Sequence, residues 1–126
     1  MDLNELVKVA YEAGGHREIK LAPGEILFKE GEQGDQMFVI SGGTLNLTIN
    51  DEHLDTETVG GVVGEMALIE HMERSATATA VDDCTLIPLG IAQFTALVSR
   101  QPGFAIHIMK IQSQRLRKAN EILNLF

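Results

Sequence analysis

The stretch GEMALIEHMERSAT, residues 64–77, is the most informative part of the chain, and the prediction of fold and function starts from it. Its first residue, Gly64, is expected to begin a short helical turn. The first free amides of that turn belong to residues such as Met66 and Ala67. Backbone amides without partners at a helix start bind anions readily. The stretch therefore predicts an anion site on its first turn.

Three polar side chains extend this anion site. Arg74 follows Glu65 by nine residues, at the entrance to the next predicted strand. A guanidinium at that point can donate two parallel hydrogen bonds to phosphate oxygens, and Ser75 adds a hydroxyl and an amide. Glu65 is itself an anion and cannot bind phosphate, but its carboxylate can accept a hydrogen bond from a sugar hydroxyl. An anion-binding edge beside a hydroxyl-binding edge suits a ribose phosphate.

Each of these residues also has a purely structural interpretation. Glu65 alone would more often be a first-turn carboxylate stabilised by the helix dipole. Arg74 alone would usually be a surface cation paired with Glu70 or Glu73. For isolated residues these two structural interpretations are preferred, and only a match of the whole stretch to a known family pattern favours the ligand site.

The elements around this stretch follow the order helix, short strands, helices. Residues 4–13 place apolar side chains on one helical face, and a pair of glycines ends that helix. Between residues 19 and 89, short β-rich runs alternate with turns. The clearest of these predicted strands are the runs 25–28, 37–40, 44–49, 77–81 and 85–89. Two helices follow, at 91–100 and 104–126. This order predicts a mainly β sandwich or barrel with flanking helices.

Composition and charge exclude several classes of protein. The formal net charge of −8 provides no basic face for nucleic acid, although one arginine can still dominate the potential inside a small pocket. No apolar run is long enough to cross a bilayer, and the acidic N-terminus lacks the signal-peptide pattern. The one cysteine, Cys84, has no partner for an internal disulfide. These features predict a cytoplasmic protein that contacts neither nucleic acid nor a membrane.

Residues 64–76 resemble the phosphate-binding cassette of the cyclic nucleotide-binding domain family, which catabolite activators, kinase regulatory subunits and gated ion channels share. The family pattern is G-E-[hydrophobic]-A-L followed at fixed spacing by R-[Ser/Thr/Ala]-A. This chain has no insertion or deletion between Glu65 and Arg74. The resemblance extends over about residues 19–124. It implies a jelly-roll-like β-barrel, or double-stranded β-helix, with a short N-terminal helix and two C-terminal helices. It also implies a stand-alone domain without a DNA-binding region.

The chain is expected to form a single cyclic nucleotide-binding domain, 1–126, with three parts. Residues 1–15 would form the N-terminal helix. Residues 16–90 would form the β-barrel with the cassette at 64–77, and residues 91–126 would form the C-terminal lid helices. A chain of this length can bury roughly two-thirds of its unfolded surface, which is enough for one core.

The resemblance assigns a role to each polar group of the cassette. Glu65 would hold the ribose 2′-hydroxyl, and Arg74 and Ser75 would hold the cyclic phosphate. Three further residues would line the cradle with their backbone: Gly64, Met66 and Ala67. The expected ligand is cyclic AMP, with cyclic GMP as the alternative, and no cofactor or metal is expected.

The final helix resembles the one that covers the base in catabolite activators. Where those proteins use hydroxyl residues to contact adenine, this chain has Ala119 and Asn120. Ala119 cannot make a side-chain hydrogen bond, whereas Asn120 offers a donor and an acceptor, which suit the adenine edge. Asn120 therefore favours cyclic AMP over cyclic GMP. The alternative interpretation of Asn120 is a solvated polar position.

The same helix carries an apolar stripe and a basic patch. The stripe comprises Met109, Leu116 and Leu123, which are spaced seven residues apart, with Ala119 and Phe126 at the companion positions. It fits either a dimer seam or an intramolecular core. The basic patch is either a solvated face or a contact with the anionic barrel. Its residues are Lys110, Arg115, Arg117 and Lys118.

The expected function is that of a non-catalytic sensor module, which binds a cyclic nucleotide and relays binding through movement of its C-terminal helices. Its partners would be the nucleotide and either a second copy, through the final helix, or an effector protein. One alternative is a barrel interaction module that has lost nucleotide binding. Another is a regulatory domain excised from a longer channel, kinase or transcription regulator. An enzyme of the cupin type has little support, because no H-x-H or H-E-x-x-H spacing is present.

Overall fold

The computed structural model describes residues 1–123, which form eight strands and four helices. The helices are α1 (Leu3–Ala13), α2 (Glu65–Glu70), α3 (Ile91–Arg100) and α4 (Pro102–Leu123). The strands are β1 (Ile19–Leu21), β2 (Ile26–Phe28), β3 (Met37–Gly42), β4 (Leu45–Ile49), β5 (Glu52–Glu57), β6 (Val62–Val63), β7 (Thr77–Ala80) and β8 (Cys84–Leu89). The predicted order of helix, strands and helices is confirmed, and α2 is the predicted helical turn of the cassette.

The strands form two antiparallel sheets of four strands each. One sheet has the order β1-β8-β3-β6 and the other has the order β2-β7-β4-β5. Apart from the β4–β5 hairpin, strands that follow one another in sequence, such as β1 and β2 or β7 and β8, lie in different sheets, so the chain winds back and forth between the two. This winding confirms the predicted mainly β, jelly-roll-like fold with flanking helices. Among the described strands the two sheets are not joined into one closed barrel.

Two buried apolar clusters hold the fold together. The first lies between the sheets and contains residues of both, including Phe38, Leu45 and Leu86. The second packs α1, α3 and α4 against the other face of the β1-β8-β3-β6 sheet and includes Leu6 and Phe104. Successive side chains of β3 enter the two clusters in turn, because neighbouring side chains of a strand point to opposite faces. This sheet is therefore covered on both sides.

The last helix begins two residues earlier than predicted. Pro102 occupies its first position, where a proline has the right φ and its missing amide hydrogen is not needed. The first half of α4 buries Phe104, Ile108 and Ile111, which anchor it to the core. Its second half extends past the sheets toward the β4–β5 hairpin, and this part of the helix adjoins the cassette.

The apolar stripe of α4 faces away from the core. Met109, Leu116 and Leu123 are 55%, 62% and 64% exposed. The intramolecular-core interpretation is therefore wrong for these three residues, and the dimer seam stays a prediction. Phe126, a predicted companion of the stripe, lies outside the described residues.

Candidate functional site

A cavity of about 520 Å³ is bounded by the cassette, by strands β2, β4 and β5, and by the middle of α4. Leu47, Ile49 and Leu54 form an apolar part of its wall. The volume falls in the range of small-molecule sites, roughly 300–1,000 Å³. Six of the residues predicted to contact the ligand line this cavity: Gly64, Glu65, Met66, Ala67, Arg74 and Ser75.

Gly64 is required where α2 begins. Its φ of +79° lies in the left-handed region, which residues with a Cβ rarely adopt. A Cβ at Gly64 would also lie 2.5 Å from Arg74 Nη1. The glycine therefore lets the backbone turn into α2 while the guanidinium lies directly against it. The first turn of α2 then places the buried Glu65 and Ala67 at the cavity wall.

The guanidinium of Arg74 is buried between two aromatic rings and a glycine. Arg74 is only 7% exposed. Its Cζ lies 4.3 Å from the ring centroid of Phe28 and 5.7 Å from that of Phe38, within the range of cation–π contacts. A Cβ at Gly34 would lie 2.2 Å from Arg74 Nε, so the backbone approaches the guanidinium closely there. These contacts fix the direction of a charged group at the cavity.

Hydrogen bonding leaves part of this guanidinium without a partner. Nη1 donates to the carbonyl oxygen of Gly64 at 3.1 Å, whereas Nε is buried with no partner among the described residues. Arg74 makes no ion pair with Glu70 or Glu73 in the described chain, so its surface-cation interpretation is wrong. The pKa of Arg74 is lowered from its ordinary value, because the effect of burial exceeds the opposing effect of nearby carboxylates. An arginine side chain nevertheless stays a cation at neutral pH.

Glu65 is a buried carboxylate with a cationic partner. It is 2% exposed, and its Oε1 accepts a hydrogen bond from Arg115 Nη1 at 2.8 Å. A carboxylate has two oxygens and about four lone pairs, so this bond leaves acceptor capacity for a ligand. Because α4 supplies Arg115, the cassette and the final helix are linked at the cavity itself.

Arg115 contacts two further carboxylates, both on β5. Nη2 donates to Glu57 Oε1 at 3.1 Å, and Nε donates to Asp55 Oδ2 at 3.4 Å. Lys118, one turn further along α4, also donates to Asp55. We call these five residues, Asp55, Glu57, Glu65, Arg115 and Lys118, the Arg115 cluster. Its carboxylates are shielded from water, since the side chains of Asp55, Glu57 and Glu65 are 4%, 15% and 2% exposed.

The Arg115 cluster corrects the interpretation of the basic patch. The side chain of Arg115 is 14% exposed, so the solvated-face interpretation is wrong for it. Contact with the anionic barrel is confirmed for Arg115 and for Lys118. Lys110 and Arg117 are exposed, and they make no ion pair within residues 1–123.

Burial and charge shift the pKa values of the cluster in different directions. Burial raises the pKa of Glu57 to about 7, although Arg115 opposes the shift while Asp55 adds to it. Burial also acts to raise the pKa of Asp55, but hydrogen bonds with Lys118, Glu57 and the Thr56 amide outweigh it, and the pKa of Asp55 is lowered. Of these two neighbouring carboxyls, Glu57 is therefore the one that holds a proton near neutral pH.

Two predicted ligand contacts differ in their placement. Ser75 lines the cavity, and its Oγ lies 3.9 Å from Met66 Sδ, a weak contact that a ligand can replace. Asn120 is half-buried, and the described cavity wall includes its neighbour Ala119 but not Asn120. Neighbouring residues of a helix point about 100° apart, which explains why the two differ. The role of Asn120 stays a prediction.

The sequence did not predict a ligand-site role for three residues on the cavity face of α4, Gln112, Arg115 and Leu116. Gln112, Arg115, Leu116 and Ala119 all line the cavity. They follow one another at positions i, i+3, i+4 and i+7, the spacing of one helical face. The sequence contains this helical spacing, but two of the four side chains are polar and two are apolar. Apolar periodicity alone therefore does not indicate this face of the helix.

The described residues contain neither a metal-binding cluster nor a membrane-spanning helix. Within residues 1–123 no group of three or more His, Cys, Asp or Glu side chains is arranged to hold a metal ion. Cys84 is buried, and its Sγ donates to the carbonyl oxygen of Thr44 at 3.0 Å. As far as Leu123, no helix combines the length and the apolar character that crossing a membrane requires.

Comparison with known proteins gives consistent results. The family model described as "Cyclic nucleotide-binding domain" matches residues 18–101. The cAMP-dependent protein kinase type II regulatory subunit of Drosophila melanogaster is 40% identical over 63 residues, which are 50% of this chain and 17% of that protein. The cyclic AMP receptor protein of Thermus thermophilus is 31% identical over 107 residues, which are 81% of this chain and 50% of that protein. The chain thus spans half or less of the length of these two relatives.

A solved structure shows the same likeness in three dimensions. The crystal structure of the Thermus thermophilus catabolite activator protein superposes with a TM-score of 0.76 at 29% identity. The superposition covers 96% of this chain and 58% of that one. The likeness therefore includes the flanking helices as well as the two sheets.

Proposed function

Because the chain belongs to the cyclic nucleotide-binding domain family, we propose that it is a non-catalytic sensor module that binds a cyclic nucleotide in the cavity between the cassette and α4. The ligand is cyclic AMP in preference to cyclic GMP. The observation that carries this proposal is the guanidinium of Arg74, which lines the cavity and donates one side-chain hydrogen bond among the described residues, so that other donors stay available for a phosphate.

The cyclic phosphate occupies the end of the cavity at Arg74 and Ser75. A phosphate oxygen can accept a hydrogen bond from a guanidinium donor of Arg74 other than the one bonded to Gly64. The bond is charge-assisted, and Phe28 and Gly34 hold the guanidinium in place before the ligand arrives. The Ser75 hydroxyl and the backbone of Gly64, Met66 and Ala67 complete the cradle.

The ribose lies beside Glu65, which accepts a hydrogen bond from the 2′-hydroxyl. Arg115 supports this role, because its hydrogen bond to Oε1 at 2.8 Å helps to hold the Glu65 carboxylate in position. A 2′-deoxynucleotide lacks the hydroxyl and should bind more weakly.

The base lies against the apolar wall of Leu47, Ile49 and Leu54, below Leu116 and Ala119 of α4. The preference for cyclic AMP is supported by the donor–acceptor pair of Asn120 and by the two relatives, whose names refer to cAMP. For Asn120 to reach the base, the end of α4 has to turn toward the cavity.

This movement of the second half of α4 toward the cavity is the relay that we propose. The first half of α4 is anchored by Phe104, Ile108 and Ile111, whereas its second half is attached to the barrel mainly through Arg115 and Lys118. A ligand that engages Glu65 competes for the bonds of Arg115 and so changes the balance between helix positions. The change requires that the ligand bind one position more tightly than the other.

The output of the relay is read by a partner on the exposed stripe of α4. Met109, Leu116 and Leu123 are spaced for a helix–helix seam and are more than half exposed. A second copy of the chain is the partner that we propose, with an effector protein as the alternative. The module acts in the cytoplasm.

The test of this function is a thermal-shift panel with cyclic AMP, cyclic GMP and linear 5′-AMP. A ligand at about 100 times its dissociation constant stabilises the folded state by about 2.7 kcal/mol. Cyclic AMP should give the largest rise in melting temperature, and 5′-AMP should give none. The Arg74→Ala variant should show no rise, whereas Arg100→Ala, which removes an exposed arginine of α3, should behave as the wild type. No rise with either cyclic nucleotide would favour the interaction module instead.

A further inference from the structure

The Arg115 cluster has more negative than positive groups. Asp55, Glu57 and Glu65 can contribute three negative charges, whereas Arg115 and Lys118 contribute two positive ones. With all three carboxylates ionised, the cluster has one negative charge in excess. The carboxylate side chains are at most 15% exposed, so water solvates this excess charge poorly. An unbalanced charge that is removed from water is costly. One proton bound within the cluster removes the imbalance.

Glu57 is the member best placed to carry that proton. It lies two residues from Asp55 on β5, so the two carboxyls project from the same face of the strand. When protonated, Glu57 can donate a hydrogen bond to the Asp55 carboxylate. The other groups that face Glu57 are Arg115 and Lys118 of α4 and Glu65 of α2. His107 of α4 bonds instead to the carbonyl oxygen of Gly60 at 2.6 Å.

A nucleotide in the cavity increases the demand for this proton. Glu65 and Arg115 both line the cavity, so a cyclic phosphate brings a further negative charge next to the cluster. The nucleotide also displaces water from around these side chains. A nearby anion and the loss of water both favour the neutral form of a carboxyl group.

We propose that the Arg115 cluster couples nucleotide binding to the uptake of one proton, with Glu57 as a positioning residue that acts through Arg115. This inference rests on the proposed function. Protonated Glu57 no longer attracts Arg115 as a full charge, and Arg115 is then held by Asp55 and by Glu65. Glu65, in turn, keeps its hydrogen bond with Arg115 and stays directed toward the ribose hydroxyl.

The sign of the pH dependence follows from the order of the two pKa values. Burial raises the pKa of Glu57 to about 7 in the chain without ligand, and the ligand raises it further. Protonated chain therefore binds the nucleotide more tightly. The affinity is highest below about pH 7 and falls as the pH rises through the window between the two pKa values, by about tenfold for each unit by which the ligand raises the pKa.

Calorimetric titration of cyclic AMP into the full chain tests the coupling. The titration is run from about pH 6 to about pH 9, in pairs of buffers with different enthalpies of ionisation, so that the heat reports the protons taken up. We expect an uptake of about half a proton per nucleotide near about pH 7.5 and a dissociation constant that rises about tenfold across the range. The Glu57→Gln variant carries a neutral side chain at every pH and should bind without this dependence. The control Glu52→Gln, at an exposed position of the same strand, should keep the wild-type profile.

The outcomes separate this inference from the proposed function. Nucleotide binding without proton uptake in the wild type would overturn the coupling and leave the proposed function intact. Proton uptake that persists in Glu57→Gln would also overturn it, by assigning the proton to another group such as His71 in the cassette. The absence of nucleotide binding at every pH would overturn the proposed function, and this inference with it. The wild-type measurement decides the coupling even where a variant does not fold.

Discussion

Removing Arg115 should destabilise the folded chain several times more than removing Lys118, although both cations belong to the Arg115 cluster. Arg115→Ala leaves Glu65, with a side chain 2% exposed, and Glu57, 15% exposed, without their cation. Breaking a buried pair from one side costs about 3–5 kcal/mol, because the remaining charge stays out of water. Lys118 is 53% exposed, and Asp55 keeps Arg115 as a partner when Lys118 is lost. Lys118→Ala should therefore cost about 1 kcal/mol or less.

Urea-induced unfolding of the two variants at about pH 8 measures these free energies directly. The deficit of Arg115→Ala should shrink toward about pH 5. Without Arg115 the folded-state pKa of Glu57 rises further, so the folded chain binds more protons than the unfolded chain, and its stability falls as the pH rises. Equal losses for the two variants, or a loss in Arg115→Ala that does not change with pH, would refute this reasoning.

Three further predictions concern single positions. Gly64→Ala should lower the free energy of unfolding by more than about 1 kcal/mol, because the backbone there has a φ of +79° and an added Cβ would lie 2.5 Å from Arg74 Nη1. A thermal melt that matches the wild type would contradict this prediction. Glu57→Gln should raise the melting temperature at about pH 8 but not at about pH 4, because burial raises the pKa of Glu57 from 4.5 to about 7 and the wild type loses stability as the pH rises between these values. A variant that is less stable than the wild type at both pH values speaks against that account. Met109→Asp should convert a dimer into a monomer in analytical ultracentrifugation, because it places a charge in the exposed stripe of α4, and a wild type that is itself monomeric contradicts the seam.

The cassette could be predicted from the sequence because its parts are close together along the chain. Gly64 turns the backbone into α2, and Arg74 returns to the same cavity from the entrance of β7. This arrangement depends on local spacing, so a local pattern reveals it. What the pattern does not contain is the environment of Arg74. The stacking on Phe28 and the close approach of Gly34 arise from the pairing of distant segments.

Strand β5 was not among the predicted strands, and its composition explains why. Its inward positions include Asp55 and Glu57, so the alternation that marks a half-buried strand is made of carboxylates instead of apolar side chains. The hairpin that precedes it turns at Asn50 and Asp51, both with positive φ, as a two-residue turn of type I′ requires. Asn and Asp tolerate this conformation, and the pair was a usable signal for the hairpin.

The Arg115 cluster could not be predicted from local patterns. Arg115 and Lys118 meet carboxylates that lie 50 to 63 positions away in the sequence. The formal charge of the chain shows that acidic groups are in excess, but it does not show which of them are brought together. Folding of α4 against β5 decides this. The apolar stripe of the same helix, Met109, Leu116 and Leu123, could not be assigned either. Apolar spacing alone does not show whether such a stripe packs against the chain's own core or stays exposed.

Sequence alignment and helix geometry place Asn120 differently relative to the ligand cavity. The alignment puts Ala119 and Asn120 together at the base, whereas the helix turns them about 100° apart and only Ala119 lines the described cavity. A base contact from Asn120 therefore depends on the movement of α4. Comparison of Asn120→Ala with the wild type reports on that movement as well as on the base.

The measurement that tests the central claim most directly is a calorimetric titration of cyclic AMP into the wild type and into Arg74→Ala at one pH. The account predicts saturable binding of one nucleotide per chain in the wild type. It predicts no detectable heat in a folded Arg74→Ala variant, because the buried guanidinium supplies the phosphate contact. Equal affinity of the two proteins would contradict the site, and the absence of binding to the wild type would contradict the sensor function.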